Sequence, residues 1–138
     1  MVLFQTQVTS TKPYEEVYGI IKESASRNAK SDFAEDSFSI ICLQRASVGI
    51  VHEESHITGT LEKQSKTTVV KFCLHAGFRF WFGALFAVLG ALNTIVFLWE
   101  KSPVWYIPAI IFLLGALICA NHYWAGKGHI DRMIARIR

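Results

Sequence analysis

Two stretches decide the architecture: Phe80–Trp99, FWFGALFAVLGALNTIVFLW, and Val104–Trp124, VWYIPAIIFLLGALICANHYW. The first carries no charge, and at about 1.5 Å rise per residue its length covers about 30 Å, the thickness of a bilayer's hydrocarbon core. The second is similar in length and composition. Only Glu100-Lys101-Ser102-Pro103 separates them, which is too short to recross a membrane, so the sequence predicts a helical hairpin with both chain ends on one side. Trp81, Trp99, Trp105, Tyr106, Tyr123 and Trp124 stand near the ends of the two runs, where an aromatic ring keeps its body in lipid and its polar atom among headgroups. Lys63, Lys66, Lys71 and Arg79 precede the first run and Lys127, Arg132, Arg136 and Arg138 follow the second, against Lys101 alone between them. That bias predicts cytoplasmic termini in a bacterial-type inner (plasma) membrane.

Working outward, the chain of 138 residues leaves positions 1–79 for one small domain, with 80–124 as the hairpin and 125–138 as a basic juxtamembrane tail. A domain of that size is at the lower limit for independent folding and leaves little room for an elaborate catalytic cleft. The net charge of +3 is modest, and the basic residues cluster beside the apolar runs, so anionic lipid explains them better than nucleic acid. The opening MVLFQTQVTS lacks a basic segment followed by an apolar run, so the expectation is that no secretory signal operates and the first span inserts itself. Cys42, Cys73 and Cys119 are odd in number and far apart, which favours reduced thiols over a disulfide framework.

Within 1–79, Val2, Phe4, Thr6 and Val8 alternate with polar residues and predict a first strand. Ser10-Thr11-Lys12-Pro13 followed by Glu15-Glu16 reads as a helix start, and Tyr14, Val17, Tyr18, Ile21 and Ala25 continue at helical spacing to about Ser26. Arg27–Asp32 reads as a polar connection. Phe38–Leu43, His56–Leu61 and Thr67–His75 read as strands, with Val48–Val51 a further candidate. The expected class is α+β: a small antiparallel sheet with one covering helix in the order β-α-β-β-β, then the transmembrane hairpin, then a short basic amphipathic helix. In that last segment Ile130, Met133, Ile134 and Ile137 share a face, so it is expected to lie on the cytoplasmic leaflet or against the domain.

The sharpest chemical string is His52-Glu53-Glu54-Ser55-His56, a formal H-E-x-x-H. In zinc peptidases that spacing places two imidazoles one helical turn apart on the metal, with the glutamate acting on bound water. Here Ser47–Val51 before it and Ile57–Thr60 after it favour strand and turn over helix, and Glu54 sits at an inner position such motifs keep uncharged. A zinc hydrolase using His52 and His56 with Glu53 as base is therefore the alternative, and no metal or cofactor is the expectation. His75, His122 and His129 lie at or near the predicted membrane boundary, where buried or interfacial hydrogen bonding is the expectation and proton sensing the alternative. Gly83, Ala87 and Ala91, and Gly115, Ala116 and Ala120, provide small residues at close helical spacing for helix packing or partner docking, with Asn93 as the deepest amide. Lys127, Arg132, Arg136 and Arg138 are the expected headgroup contacts. Cys42 and Cys73 read as small core residues.

The order Phe38-Ser39-Ile40-Ile41, Thr58-Gly59-Thr60-Leu61, then Thr67–His75 leading into an apolar hairpin resembles a family of small bacterial two-span membrane proteins with a strand-rich cytoplasmic domain. Gln44-Arg45-Ala46-Ser47 departs from the Arg-Asn-Ser-Phe-like string expected before the glycine strand. The resemblance implies an architecture and no chemistry. Together these features predict a non-catalytic accessory subunit or adaptor that meets membrane lipids and another integral membrane protein, or a second copy of itself. A lipid- or pH-sensing module is the further alternative.

Overall fold

The structure is a computed structural model that describes the backbone of residues 1–26, 29–45, 51–64 and 66–138, and all of their side chains except those of 26, 29, 43–45 and 51–54. The chain is α+β. The described residues form β1 (Val2–Ser10), α1 (Tyr14–Ser26), β2 (Ala29–Phe33), β3 (Ser37–Arg45), β4 (Val51–Gln64), β5 (Thr67–His75), α2 (Phe78–Trp99) and α3 (Tyr106–Ile137). The strands make one five-stranded sheet in the order β1-β5-β4-β3-β2, with every neighbouring pair antiparallel. Contacts divide the chain into two compact units, Met1–Gly77 with Trp124–Arg138, and Phe78–Tyr123.

In the first unit the alternation of β1 and β5 gives the sheet one apolar face. Val8 pairs with Val70, which pairs with Leu61, and Phe72 pairs with Gly59, which pairs with Phe38. These side chains, with Ile40, Ile57 and Leu74, are almost fully buried. Two helical segments cover them. α1 begins just after Pro13, whose carbonyl accepts from the Glu16 and Val17 amides at 3.1 Å. It turns Val17, Ile21 and Ala25 inward, all buried, as the 3.6-residue period requires. The second cover is the end of α3, which contributes buried Ile130, Met133 and Ile137. Gly126 lets that helix pass against the sheet, because a methyl there would collide with Leu74.

Three expectations need correction. The connection Arg27–Asp32 in fact contains β2 from Ala29 on, pairing Lys30 with Ile41 and Asp32 with Ser39. An edge strand touches the sheet on one side only and carries charges that discourage further pairing, so its sequence lacks the apolar alternation of an inner strand. The C-terminal amphipathic segment is not a separate short helix: α3 runs unbroken from Tyr106 to Ile137, since nothing between Trp124 and Gly128 except two tolerable glycines interrupts it. Its apolar stripe is spent on the sheet. The candidate strand Val48–Val51 lies outside the described residues up to position 50, and Val51 opens β4. β4 also runs well past the expected His56–Leu61 at both ends. A bulge interrupts it: Cys42 faces Ser55 and Leu43 faces Glu53, so Glu54 is the extra residue.

In the second unit, α2 and α3 pack antiparallel. Gly83 meets Gly115 and Ile118, while Gly90 meets Phe112 and Pro108. α2 stops at a Schellman-type cap: Ser102 N–H donates to Phe97 O at 2.9 Å, Lys101 N–H to Leu98 O at 3.1 Å, and Lys101 takes the left-handed conformation with φ 53°. Pro103 follows and prevents the helix from resuming.

Among the described residues, Gly59 is the strand glycine at which a side chain has no room. The Phe38 ring lies over it, and a methyl would also strike the Lys71 carbonyl oxygen. Replacing Gly59→Ala is expected to cost about 1–3 kcal/mol through overpacking against backbone that cannot yield, read as a lower thermal midpoint of the full chain in detergent.

Candidate functional site

The sheet face opposite the helices is polar, and the register assembles it. Because Gln64 pairs with Thr67, every β4–β5 pair follows, and His56 comes directly opposite His75. Their rings stack obliquely with centroids 5.2 Å apart. Each imidazole meets a hydroxyl one strand over: His56 Nε2 lies 3.1 Å from Ser39 Oγ, and His75 Nε2 lies 2.7 Å from Thr58 Oγ1. Ser39 and Thr58, with Gln5, Asp32, Lys71 and Cys73, line an open depression on this face, and Lys71 Nζ bonds Glu62 at 2.7 Å in an exposed pair. His75 is held below its ordinary 6.5, first by burial, then by the charge His56 carries when protonated and by the N-terminal ammonium.

A hydroxyl within reach of an imidazole is half of a nucleophile–base pair. Among the described residues no carboxylate hydrogen-bonds His56 to orient it. The arrangement stands as a ladder of cross-strand polar pairs. The pairing of His56 with His75 comes from the β4–β5 register, whereas the H-E-x-x-H spacing groups residues along one segment.

His52, Glu53 and His56 all lie on β4. A strand rises about 3.3 Å per residue, so residues four apart are about 13 Å apart, against about 6 Å in a helix. The helical geometry of the zinc-peptidase motif is therefore not formed. The side chains of His52 and Glu53 lie outside the described residues, and among those described no group of three or more His, Cys, Asp or Glu could hold a metal ion.

The small residues of the apolar helices are used within the α2–α3 pair. Gly83 and Gly115 are buried at backbone contact with each other, and Gly115 also faces the Ala87 amide. Ala91 and Ala116 are half-buried, and Ala120 is exposed. Gly90, which the four-residue spacing omits, is buried against the Phe112 backbone. It falls at i+7 from Gly83, the same helical face. Asn93 does not bridge the helices: its Nδ2 donates to Leu89 O in its own helix at 2.8 Å, and the side chain is exposed. His122 is buried against the Phe80 ring, centroids 5.9 Å apart. Of the basic residues, Lys127 Nζ sits over the rings of Phe4 at 5.8 Å and Trp124 at 5.5 Å, a cation–π placement. Arg132 contacts His129, Arg136 contacts Ser24, and Arg138 is exposed. Cys73 opens on the polar face, whereas Cys42 is on the covered one.

Two measurements check this geometry. A histidine held below its ordinary value binds fewer protons in the folded than in the unfolded chain, so stability rises with pH through that range and is lost as pH falls below 6.5. Lowering pH from about 7.5 to about 5.5 is expected to reduce the thermal midpoint, and His75→Gln to remove part of that dependence. Separately, Gly115→Leu is expected to destabilise by about 1–3 kcal/mol, because it drives the helix backbones apart, while Ala120→Leu at an exposed position stays near neutral; detergent melting curves distinguish them.

No protein-family model, no curated protein and no solved structure matches the chain.

Proposed function

We propose that the chain is a two-span membrane protein whose ends both face the cytoplasm, acting as a non-catalytic accessory subunit or adaptor. The observation that supports this reading is where the apolar surface lies. α2 and α3 are both long and apolar enough to cross a bilayer, yet only 11% and 17% of their most apolar windows is buried. A helix from the core of a globular protein would be mostly buried; here Leu85, Val88, Leu92, Ile95, Leu113 and Leu117 are all about half exposed or more. Lipid is the solvent in which such a surface costs nothing. α2 spans about 33 Å at 1.5 Å per residue, and α3 has length to spare. Trp81, Trp99, Trp105 and Trp124 are all exposed, as interfacial anchors should be.

The adaptor reading follows from what the spans and the small lobe offer. The glycine seam is consumed in pairing α2 with α3, so an integral membrane partner would meet the outward faces, where Asn93 has an amide oxygen to accept a hydrogen bond. The lobe would supply the cytoplasmic contact through its polar sheet face.

Alkaline carbonate treatment of membranes is expected to leave the protein in the pellet, and protease added outside intact cells to spare residues 1–77. Release by carbonate would overturn the membrane reading. Mild detergent extraction is expected to co-purify a second integral membrane protein, with Asn93→Leu weakening its retention; a monodisperse single species would overturn the adaptor reading while leaving the membrane reading intact.

A further inference from the structure

A small cavity of about 120 Å³ opens on the helix-covered side of the sheet, between α1, β3 and the last turns of α3. Cys42 and Met133 form its walls, and Ser24, His129, Arg132 and Arg136 rim it. Three basic side chains from one helix thus converge on one concavity, because positions 129, 132 and 136 share a face at i, i+3 and i+7.

The hydrogen bonds orient these groups and, among the described residues, leave most of the two guanidiniums' donors unspent. Arg132 Nη2 donates to His129 Nδ1 at 2.7 Å, which places the imidazole proton on Nε2. Arg136 Nη1 donates to Ser24 Oγ at 3.4 Å, and that hydroxyl passes its own proton to Ile20 O at 2.8 Å. A guanidinium carries five donors and no acceptor. Lys12 pairs with Glu16 and Lys71 with Glu62, and among the described residues no carboxylate pairs with Arg132 or Arg136. Beside the Cys42 wall, Ser55 is fully buried as the cross-strand partner of Cys42, and its hydroxyl has no hydrogen-bond partner among the described residues. Two like charges one turn apart repel, and a buried hydroxyl left unpaired costs free energy. An anion in the cavity relieves the first.

We propose that this cavity binds a phosphate monoester group. A tetrahedral dianion balances two guanidinium charges where one carboxylate would balance one, and its oxygens suit the forked donors of arginine. When the site is empty, Arg136 still lies beside the last turn of α1, whose carbonyl end favours a cation, so the arrangement persists without ligand. The site uses residues of the lobe only and does not depend on α2 and α3 crossing a bilayer.

The test uses the full chain in an uncharged maltoside detergent, titrated by calorimetry with inorganic phosphate and, separately, with water-soluble short-chain phosphatidic acid. Sodium chloride at matched ionic strength and short-chain phosphatidylcholine are the controls. Saturable binding of either phosphate probe, with a raised thermal midpoint, supports the site. Binding of phosphatidic acid alone identifies the source as a lipid headgroup, and binding of both identifies a free phosphate group as sufficient. R132Q and R136Q are each expected to weaken binding on the order of tenfold, R132K and R136K less, and R138Q not at all. The lysine variants keep the charge, and carry the comparison should a glutamine variant fail to fold. An equal response to chloride, no response to either probe, or undiminished affinity in an R132Q/R136Q double variant that melts normally would overturn the proposal.

Discussion

The carbonyl end of α3 is the point on which the lobe depends. The Ser10 hydroxyl donates to Ile137 O at 2.7 Å, and Lys12 Nζ donates to Arg136 O at 3.0 Å. A helix terminus carries unpaired carbonyls and a partial negative charge, so one hydroxyl and one ammonium satisfy both needs. Thr68 in turn holds the backbone of that loop through Lys12 O at 3.1 Å. With the terminus anchored, Ile130, Met133 and Ile137 complete a core that α1 alone would leave partly open. Each such side chain contributes about 1.5–3 kcal/mol on burial, a large share of the net stability of a domain this small.

That second cover gives the sheet its two unlike faces. One is apolar and closed by α1 and the end of α3. The other keeps hydroxyls, imidazoles, an amide and charges toward solvent. An antiparallel sheet tolerates this because side chains alternate between faces with period two. The basic cavity belongs to the covered side, at the seam where helices of different origin meet the strands. A seam between elements leaves space that a continuous packed face does not, which is why polar rims and unspent donors collect there.

The α2–α3 pair obeys a different economy. Its contacts are backbone against backbone at Gly83, Gly90 and Gly115. Close approach of the two backbones gains dispersion energy that bulky residues would prevent. The polar side chains there turn back on their own helices: Thr94 Oγ1 donates to Gly90 O at 2.7 Å and Asn93 to Leu89 O at 2.8 Å. Cys119 instead reaches Phe80 O across the pair at 3.5 Å.

What the sequence determined by itself was whatever repeats locally. The alternation of Val2 to Val8 and of Thr68 to Leu74, the helical spacing of Val17, Ile21 and Ala25, and the apolar runs from Phe80 are read within one element, because each reports that element's own period. The stripe of Ile130, Met133 and Ile137 was equally visible, but its partner was not. An apolar face states that something must cover it without stating what, and only the tertiary structure chose the sheet over a lipid surface. The same limit hid β2, whose edge position removes the apolar pattern, and separated His56 from His75, which are strangers along the chain and neighbours across it. It also hid the meeting of Arg132 and Arg136 with Ser24 and Cys42. Such encounters depend on register and on which faces pack, and those are settled by long-range contacts that no single stretch of residues contains.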